Sequence, residues 1–499
     1  MRIMSSRLAA KTLCAAVLAA LAACTTVGPN YKVPDQAVVK RSEAAADFAS
    51  AQAAAFSRQP LPPQWWKLYQ DPELDRLIEK ALGANADLRV AAANLSRSRS
   101  TLAATEAIEN PALSVSASPG YGRPSAEALG IPVPIPNTWL YDVGATVSYE
   151  VDLFGKMKRV IQAAEADSET AEAAYDLARV NVAAGTARAY ADACTSAARI
   201  RVAEHSVALQ KEFVDVNERR IRAGRGTALD RSRATAQLEQ LRAALPPLQA
   251  AQRIALQRLA VLTGETPNQL PKAAATCAAM PRLSAPVPVG DGAALLRRRP
   301  DIRQAERSLA GSVARVGVAT ADLYPSIGLG LQLGSTGILS EFGAANATRF
   351  TLGPLISWSI PINGVARNRV AAAQAGSEAA LAHFDSVVLN ALRETESALT
   401  AYARELDRNA DLKAARDQSA LAARQSDELY RYGRTDFLSA LDARRTLAVA
   451  ESTLAASDAQ LVADQMTLFL ALGGGWEEKE GNGRPAHGQQ AARQEGGGR

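Results

Sequence analysis

Leu438, Asp442 and Arg445 are the residues whose types and spacing point most clearly to chemistry in this sequence. Their i, i+4 and i+7 spacing places an apolar, an acidic and a basic side chain on one face of a helix. Such a face can form ion pairs with a neighbouring chain. It can equally be a solvent-exposed surface with a single Asp–Arg pair, which stabilises a fold by about 0 to 1 kcal/mol. The spacing alone leaves both interpretations open.

The other residue types do not compose a catalytic site. His205, His383 and His487 are the only histidines, and none has the spacing of a metal-ligand set. The sequence has no glycine-rich phosphate loop and no nucleophile elbow. We therefore expect a protein that is not an enzyme and that uses no cofactor and no metal. The formal charge of +5 is spread over 499 residues, so nucleic-acid binding is not expected either.

The N-terminal residues have the pattern of an export signal with a lipid attachment site. Basic residues precede an apolar run, 13–23, which is too short to cross a bilayer as a permanent helix. The run ends in Leu-Ala-Ala directly before Cys24, a pattern that resembles bacterial lipoprotein signals. We expect removal of residues 1–23 and acylation of Cys24. Thr25 rather than an aspartate follows, which favours sorting to the outer membrane. The alternative is an ordinary secretory signal followed by an incidental cysteine.

Two further cysteines, Cys194 and Cys277, remain in the mature chain. An exported pair of cysteines can be oxidised to a disulfide. Sequence alone does not place the two residues within bonding distance, so a pair of inert buried thiols is the alternative.

The chain consists of two copies of one unit. Asp87 recurs as Asp301 at an offset of 214 residues, and Gly155 recurs as Gly364 at an offset of 209. The register changes near a proline-rich loop, 130–136. Each copy is predicted to contain a helix, a strand, a loop, a strand, a very long helix, a tight turn and a helix. The expected domains are a lipidated N-terminal segment (24–64), the first repeat (65–280), the second repeat (281–476) and a disordered tail (477–499).

Four strands and two rods are the clearest predicted elements. From Tyr141 to Leu153 apolar and polar residues alternate without a break, and similar rows start at Leu113, Ile327 and Phe350. Strands of about ten residues with one apolar face fit a barrel that faces lipid, whereas a half-buried sheet in water is the alternative. The predicted rods are the proline-free stretches 155–222 and 364–431, each about 100 Å long as a helix.

The number of strands predicts an oligomer. After the signal no apolar run is long enough for a transmembrane helix, so a membrane span would have to use strands. Four strands cannot close, and an open edge in hydrocarbon costs several kcal/mol for each unpaired N–H or C=O group. Three chains would supply twelve strands and leave a passage. The predicted fold class is an α+β membrane protein, a homotrimeric twelve-stranded β-barrel continued by a long α-helical tunnel.

Five segments of the sequence resemble the TolC-like outer-membrane factors of efflux pumps, and most of all their OprM-like lipoprotein branch. The similarity extends from residue 24 to about residue 476. Its segments are Val-Gly-Pro-Asn-Tyr (27–31), Trp-Trp-Lys-Leu-Tyr (65–69), Leu-Arg-Arg-Arg-Pro-Asp-Ile (296–302), Tyr-Arg-Tyr-Gly (430–433) and Ala-Leu-Gly-Gly-Gly-Trp (471–476). The resemblance implies a trimeric barrel with a periplasmic tunnel. It also implies two partners, a periplasmic adaptor protein and an inner-membrane, proton-driven transporter of the resistance-nodulation-division type.

The resemblance assigns a gate to the second predicted turn. Family constrictions have a hydrophobic residue five places after the turn glycine, a carboxylate nine places after it and an arginine twelve places after it. Counted from Gly433, these are Leu438, Asp442 and Arg445. Some relatives have another carboxylate six places after the glycine, where this chain has Ser439. This chain therefore departs from a gate with two acidic rings.

The first copy differs at the equivalent positions, which are Leu229, Arg233 and Ala236. The acidic residue is thus peculiar to the second turn, which favours a gate over an ordinary exposed face. We hypothesise that Asp442 and Arg445 link neighbouring chains and hold the periplasmic aperture shut.

The two turns are the expected contact sites for the adaptor. Helix-cap chemistry alone explains their glycines, and only the resemblance makes the turns a docking surface. The contact segments would be 222–227 in the first copy, with Gly224, Arg225 and Thr227, and 431–435 in the second, with Gly433, Arg434 and Thr435. Tyr430 would brace the second turn.

The expected function is a passive, gated exit duct for small molecules such as drugs or toxic compounds. It would be lipid-anchored in outer-membrane lipid, with its tunnel in the periplasm. One alternative is the outer-membrane duct of a protein-secretion system, which the lipoprotein signal and the OprM-like segments disfavour. The other is a non-conducting coiled-coil tether, which has no need of four alternating strands.

Overall fold

The computed structural model describes residues 26–475 except 124, 126–129, 131, 134, 278–279, 284 and 361. The predicted signal 1–23, the lipidation residue Cys24, Trp476 and the tail 477–499 lie outside the described residues. Of the helices described, none has both the length and the hydropathy needed to cross a membrane.

Most of the regular structure is helical, with one main sheet. The strands of the described residues are β1 (Phe56–Ser57), β2 (Ala112–Gly122), β3 (Thr138–Val151), β4 (Val287–Pro288), β5 (Ser326–Ile338) and β6 (Thr348–Ser357). An antiparallel sheet has the order β2-β3-β5-β6, so β2 and β6 are its edge strands. β1 and β4 form a separate short parallel pair.

Helices of the described residues precede, separate and follow the strands of the main sheet along the chain. They are α1 (Pro72–Ala84), α2 (Ala86–Glu106), α3 (Lys156–Arg222), α4 (Ala228–Ala243), α5 (Leu245–Leu262), α6 (Lys272–Ala275), α7 (Gly292–Arg298), α8 (Pro300–Ala321), α9 (Val365–Arg431) and α10 (Phe437–Ala471). α3 and α9 each contain 67 residues. The two predicted long helices are therefore confirmed, because nothing in either stretch interrupts the backbone hydrogen bonds.

The predicted helix after the first turn is wrong in one respect, because it is divided in two. α4 ends at Ala243 and α5 begins at Leu245 with prolines at its first positions. Pro246 and Pro247 have no N–H to donate to the preceding turn, and a proline ring clashes with the carbonyl four residues earlier. The second copy has no proline here, and α10 runs without a break for 35 residues.

The end of β3 also differs from the prediction. Alternation suggested a strand as far as Leu153, but β3 ends at Val151. The carboxylate of Asp152 accepts hydrogen bonds from the backbone N–H groups of Met157 (3.1 Å) and Lys158 (2.9 Å). Asp152 thus satisfies two of the free N–H groups in the first turn of α3, and the chain leaves the strand just before this residue.

The chain forms two compact units, each with its own packing. Unit 1 contains residues 26–37, Asn94–Glu172 and Gln304–Asp385, and with them the four-stranded sheet. Unit 2 contains Val38–Ala93, Ala173–Arg303 and residues 386–475. In unit 2 the fully buried Trp65 stacks on Phe469 of α10, with the ring centroids 4.5 Å apart. The Trp-Trp-Lys-Leu-Tyr segment is therefore a packing element of this core.

Cys194 and Cys277 form a disulfide within the core of unit 2. Their Cα atoms are 5.2 Å apart, and both side chains are buried. Arg201 holds the same segment by donating a hydrogen bond to the carbonyl oxygen of Cys277 at 3.2 Å. The pairing that the sequence left open is thus resolved in favour of a bond.

Candidate functional site

The turns after α3 and α9 have one backbone conformation. Gly224 and Gly433 both have φ of +72°, a left-handed conformation that costs little only for glycine. In the first turn, Gly224 N–H donates to the carbonyl of Ile221 at 2.9 Å and Arg225 N–H to that of Arg220 at 2.8 Å. These two bonds are a Schellman motif, which satisfies the last carbonyls of a helix. The second turn has the same two bonds, from Gly433 to Tyr430 (3.1 Å) and from Arg434 to Leu429 (2.8 Å).

Each turn leads directly into a capped helix. Thr227 caps α4 in a capping box with Asp230, whose carboxylate accepts from the Thr227 N–H at 2.9 Å. Thr435 precedes Asp436, which caps α10 by accepting hydrogen bonds from the N–H (2.8 Å) and the hydroxyl (2.9 Å) of Ser439. Ser439 therefore completes a helix cap at the position where some relatives have a carboxylate.

The cap at Asp436 predicts that the stability of the first turn of α10 depends on pH. Its hydrogen bonds from the Ser439 backbone and hydroxyl lower the pKa of Asp436 below the ordinary value of 3.8. Because that pKa is lower in the folded chain, the stabilisation is present above pH 3.8 and is lost as the pH falls through the folded-state pKa. Asp436→Ala is expected to speed amide hydrogen exchange in the first turn of α10 at neutral pH, with a difference that shrinks in acid. Asp436→Asn keeps the acceptor and serves as the control; a pH-independent difference would contradict the assignment.

Aromatic side chains brace the second turn from inside. Tyr430 is buried between Phe213 of α3 and Phe437 of α10, and burial raises the pKa of its hydroxyl. The guanidinium of Arg220 lies 4.2 Å from the centre of the Tyr430 ring and donates to the Tyr430 carbonyl at 2.7 Å. Tyr430 therefore braces the second turn from inside, and little of its ring is exposed. The exposed aromatic residue of this turn is Tyr432.

Arg444 of α10 also holds the helices together near the second turn, a role that its position in the sequence does not indicate. Its guanidinium donates to both carboxylate oxygens of Asp427, at 2.7 and 2.5 Å, and to the carbonyl of Leu209 at 3.1 Å. It also lies 4.6 Å from the centre of the Phe213 ring. Arg444 thus joins α10 to α9 and α3. Aromatic residues make up 5% of the chain, so their grouping near the turns was the available signal for this cluster.

The three candidate gate residues lie on an exposed face of α10. Leu438 is 54% exposed, and the side chains of Asp442 and Arg445 are 60% and 63% exposed. Arg445 donates to Asp442 at 2.8 Å within the same chain. An ion pair this exposed contributes about 1 kcal/mol or less to the stability of one chain. The side chains are therefore free to interact with a neighbouring molecule at little cost to the fold.

No metal-binding arrangement of His, Cys, Asp and Glu is found in the part of the chain that the structure describes. The carboxylates near the turns are engaged in caps and ion pairs instead: Asp230 with Thr227, Asp427 with Arg444, Asp436 with Ser439 and Asp442 with Arg445. The tips therefore offer hydrogen bonds, ion pairs and a few exposed apolar side chains.

Comparisons with known proteins agree with this architecture. The outer membrane efflux protein family model matches residues 77–265 and 293–474. Outer membrane protein OprJ of Pseudomonas aeruginosa is 29% identical over 473 residues, which are 92% of this chain and 94% of OprJ. Nodulation protein T of Rhizobium leguminosarum bv. trifolii is 28% identical over 451 residues, 90% of this chain and 94% of that protein.

A solved structure extends the match to three dimensions. The outer-membrane channel OprN aligns with a TM-score of 0.84 and 36% identity, covering 91% of this chain and 100% of OprN. The resemblance recognised in the sequence is thereby confirmed. Because the family model matches segments in both halves and the fold agrees over nearly the whole length, the chain belongs to the outer membrane efflux protein family, as a TolC-like channel of the OprM type.

Proposed function

We propose that this protein is the outer-membrane exit duct of a tripartite efflux pump, working as a homotrimer that opens at its periplasmic tip. The observation that carries the proposal is the combination of one sheet with exposed apolar edge strands and two 67-residue helices in a chain of this family. The sheet would enter the membrane, and the helices would extend the passage into the periplasm. Transport through such a duct needs no chemistry of its own.

The edge strands support a shared barrel. Leu113 and Val115 of β2, and Phe350, Leu352 and Ile356 of β6, are exposed. Placing these apolar side chains in hydrocarbon is energetically favourable, whereas leaving the N–H and C=O groups of a strand edge unpaired there is costly. Pairing β6 of one chain with β2 of the next would remove all edges in a ring of three chains and twelve strands. This arrangement also requires outer-membrane lipid around the barrel, with acylated Cys24 as an additional anchor.

The tips support the proposed partners. The exposed parts of the two turns, with Gly224, Arg225, Gly433 and Arg434, would meet a periplasmic adaptor protein. The adaptor would in turn join the duct to an inner-membrane, proton-driven transporter. The face with Leu438, Asp442 and Arg445 would form three rings in a trimer and close the aperture until the pump engages.

The mass and shape of the detergent-extracted particle test this architecture. We expect about three chains in a narrow cylinder. A mature protein that is a stable, water-soluble monomer without detergent would overturn the trimer, the barrel and the gate together.

Export of small molecules has its own test. A strain lacking this protein is expected to accumulate fluorescent drug-like compounds, and plasmid-borne protein is expected to restore efflux. One relative is Nodulation protein T, so export of a different kind of cargo is the second candidate. Normal drug accumulation together with loss of a secreted protein would favour a secretion duct.

A further inference from the structure

The residues that follow the predicted acylation site are bound to the junction between β3 and α3. We call residues 26–31 the N-terminal strap. Val27 N–H donates to the carbonyl of Phe154 at 3.0 Å. A Cβ atom at Gly155, where φ is +75°, would come within 2.5 Å of the Thr26 side chain. The strap therefore packs directly on the point where the sheet strand turns into the long helix.

Arg159, in the first turn of α3, is the main contact of the strap. Its guanidinium donates to the carbonyls of Val27 (3.1 Å) and Gly28 (3.0 Å) and to the side-chain oxygen of Asn30 (2.9 Å). Arg159 is only 2% exposed, so these bonds are shielded from water. Hydrogen bonds from a charged donor are stronger than neutral ones, and the planar fork of arginine fixes their direction.

Two residues of the strap, Gly28 and Tyr31, contact α8. Gly28 has φ of +83°, and a Cβ atom there would lie 2.5 Å from the Cα atom of Gly317. The Tyr31 hydroxyl donates to Glu306 at 3.3 Å, and the guanidinium of Arg307 lies 5.9 Å from the centre of its ring. The strap is therefore fixed at three places along its length.

The side chains that hold the strap differ between the two copies of the repeat. The strap itself occurs once, in the N-terminal segment that precedes the first copy. At the offsets of the repeat, Arg159 corresponds to Asn368, Gly317 to Ala103, Glu306 to Ala92 and Arg307 to Ala93. Asn368 has no guanidinium, Ala92 has no carboxylate and Ala93 has no positive charge. Ala103 has a Cβ atom where Gly317 has none. Both copies have the helices, but these four residues occur only at the positions that contact the strap and not at the equivalent positions of the other copy. Their presence therefore correlates with the strap.

We propose that the strap and Arg159 form a seat that holds the acylated N-terminus at the β3–α3 junction, so that the acyl chains and the sheet enter the same leaflet together. The inference rests on the proposed acylation of Cys24, which precedes Thr26 by two residues, or about 7 Å of chain. A flexible tether of about ten residues would instead let the acyl group wander over about 17 Å. Arg159 is a positioning residue in this scheme.

Trypsin cleavage after Lys32 measures whether the strap is seated. Lys32 is exposed next to the strap, and its cleavage requires local release of the chain. In the purified, acylated full-length protein, Arg159→Met is expected to speed this cleavage at least tenfold. Asn30→Ala, which removes one contact only, should have a smaller effect of about threefold. Arg367→Met, an exposed arginine at the other strand-to-helix return, is the matched control and should cleave as the wild type does.

A second measurement reports the position of the strap. A fluorophore on Lys32→Cys, in vesicles with lipids brominated near the headgroup, is expected to be quenched weakly in the wild-type background, because the neighbouring Tyr31 contacts Glu306, which lies eleven residues of α8, or about 16 Å, farther from β5 than the Gly317 contact of Gly28. Arg159→Met would release the strap and let residue 32 approach the lipid, so quenching should at least double while the particle keeps its mass. Equal cleavage rates and equal quenching in Arg159→Met and the control would overturn the seat.

The proposed acylation of Cys24 is tested independently of the contacts made by Arg159. Mass spectrometry of the released N-terminal peptide shows directly whether Cys24 carries acyl chains. An unmodified Cys24 would remove the anchor, and with it this role of the seat. The cleavage rates would still show whether Arg159 holds the strap.

Discussion

Replacing Cys194 and Cys277 together by alanine is expected to lower the free energy of unfolding by about 4 kcal/mol. The disulfide joins residues separated by 83 positions. Closing a loop of that length removes conformational entropy from the unfolded chain worth about 4.5 kcal/mol in the chain-entropy description. Both cysteine side chains are buried in the core of unit 2. The double variant avoids leaving one unpaired thiol.

The measurement is denaturant unfolding of the detergent-solubilised protein with and without reductant. Reduced wild-type protein should unfold at nearly the same denaturant concentration as the double-alanine variant. That variant should itself be insensitive to reductant, which makes it the control for side effects of the reagent. A wild-type midpoint that reductant does not move would contradict a stabilising bond.

The disulfide marks one limit of what the sequence predicts. Counting cysteines identified the only two candidates for a mature bond, but their contact depends on how the segment around Cys277 packs on α3. That packing includes the hydrogen bond from Arg201 to Cys277, which no local pattern encodes. Long-range contacts of this kind follow from the fold as a whole.

Regular elements were far more predictable than contacts. Period-two alternation located β3 to within three residues at each end, and the absence of proline predicted α3 and α9 over their full lengths. Both signals are local, because backbone geometry sets the period and proline removes a helix hydrogen bond. Pro246 and Pro247 account for the division between α4 and α5 by the same local rule.

The candidate site was predictable only in part, for the same reason. Helical spacing placed Asp442 and Arg445 on one face, and the structure shows them in contact. Arg444, one residue earlier, points to another side of α10, where its partners are Asp427 and Leu209. Arg444 and its partners are 17 and 235 positions apart, so no helical spacing connects them.

Asp442→Ala is expected to raise the single-channel conductance of the reconstituted protein several-fold. In the proposed trimer, Asp442 of each chain faces Arg445 of a neighbour around the aperture. Removing the carboxylate leaves arginines from three chains close together without counter-charges. Their repulsion, which is strong where few waters screen it, should favour the open arrangement. Arg445→Ala removes the same link from the other side and should act in the same direction.

Asp407→Ala provides the matched control for this measurement in planar bilayers. Asp407 pairs with Arg404 at 2.9 Å with the same i,i+3 spacing, and both side chains are exposed, as at the candidate gate. Removing it changes the net charge equally but leaves Leu438, Asp442 and Arg445 intact. Because an isolated exposed pair contributes so little to one chain, only a link between chains predicts different results for the two variants. Equal conductance in Asp442→Ala and Asp407→Ala would show that the face of α10 is an ordinary solvated surface, and the closure would then have to lie elsewhere along the duct.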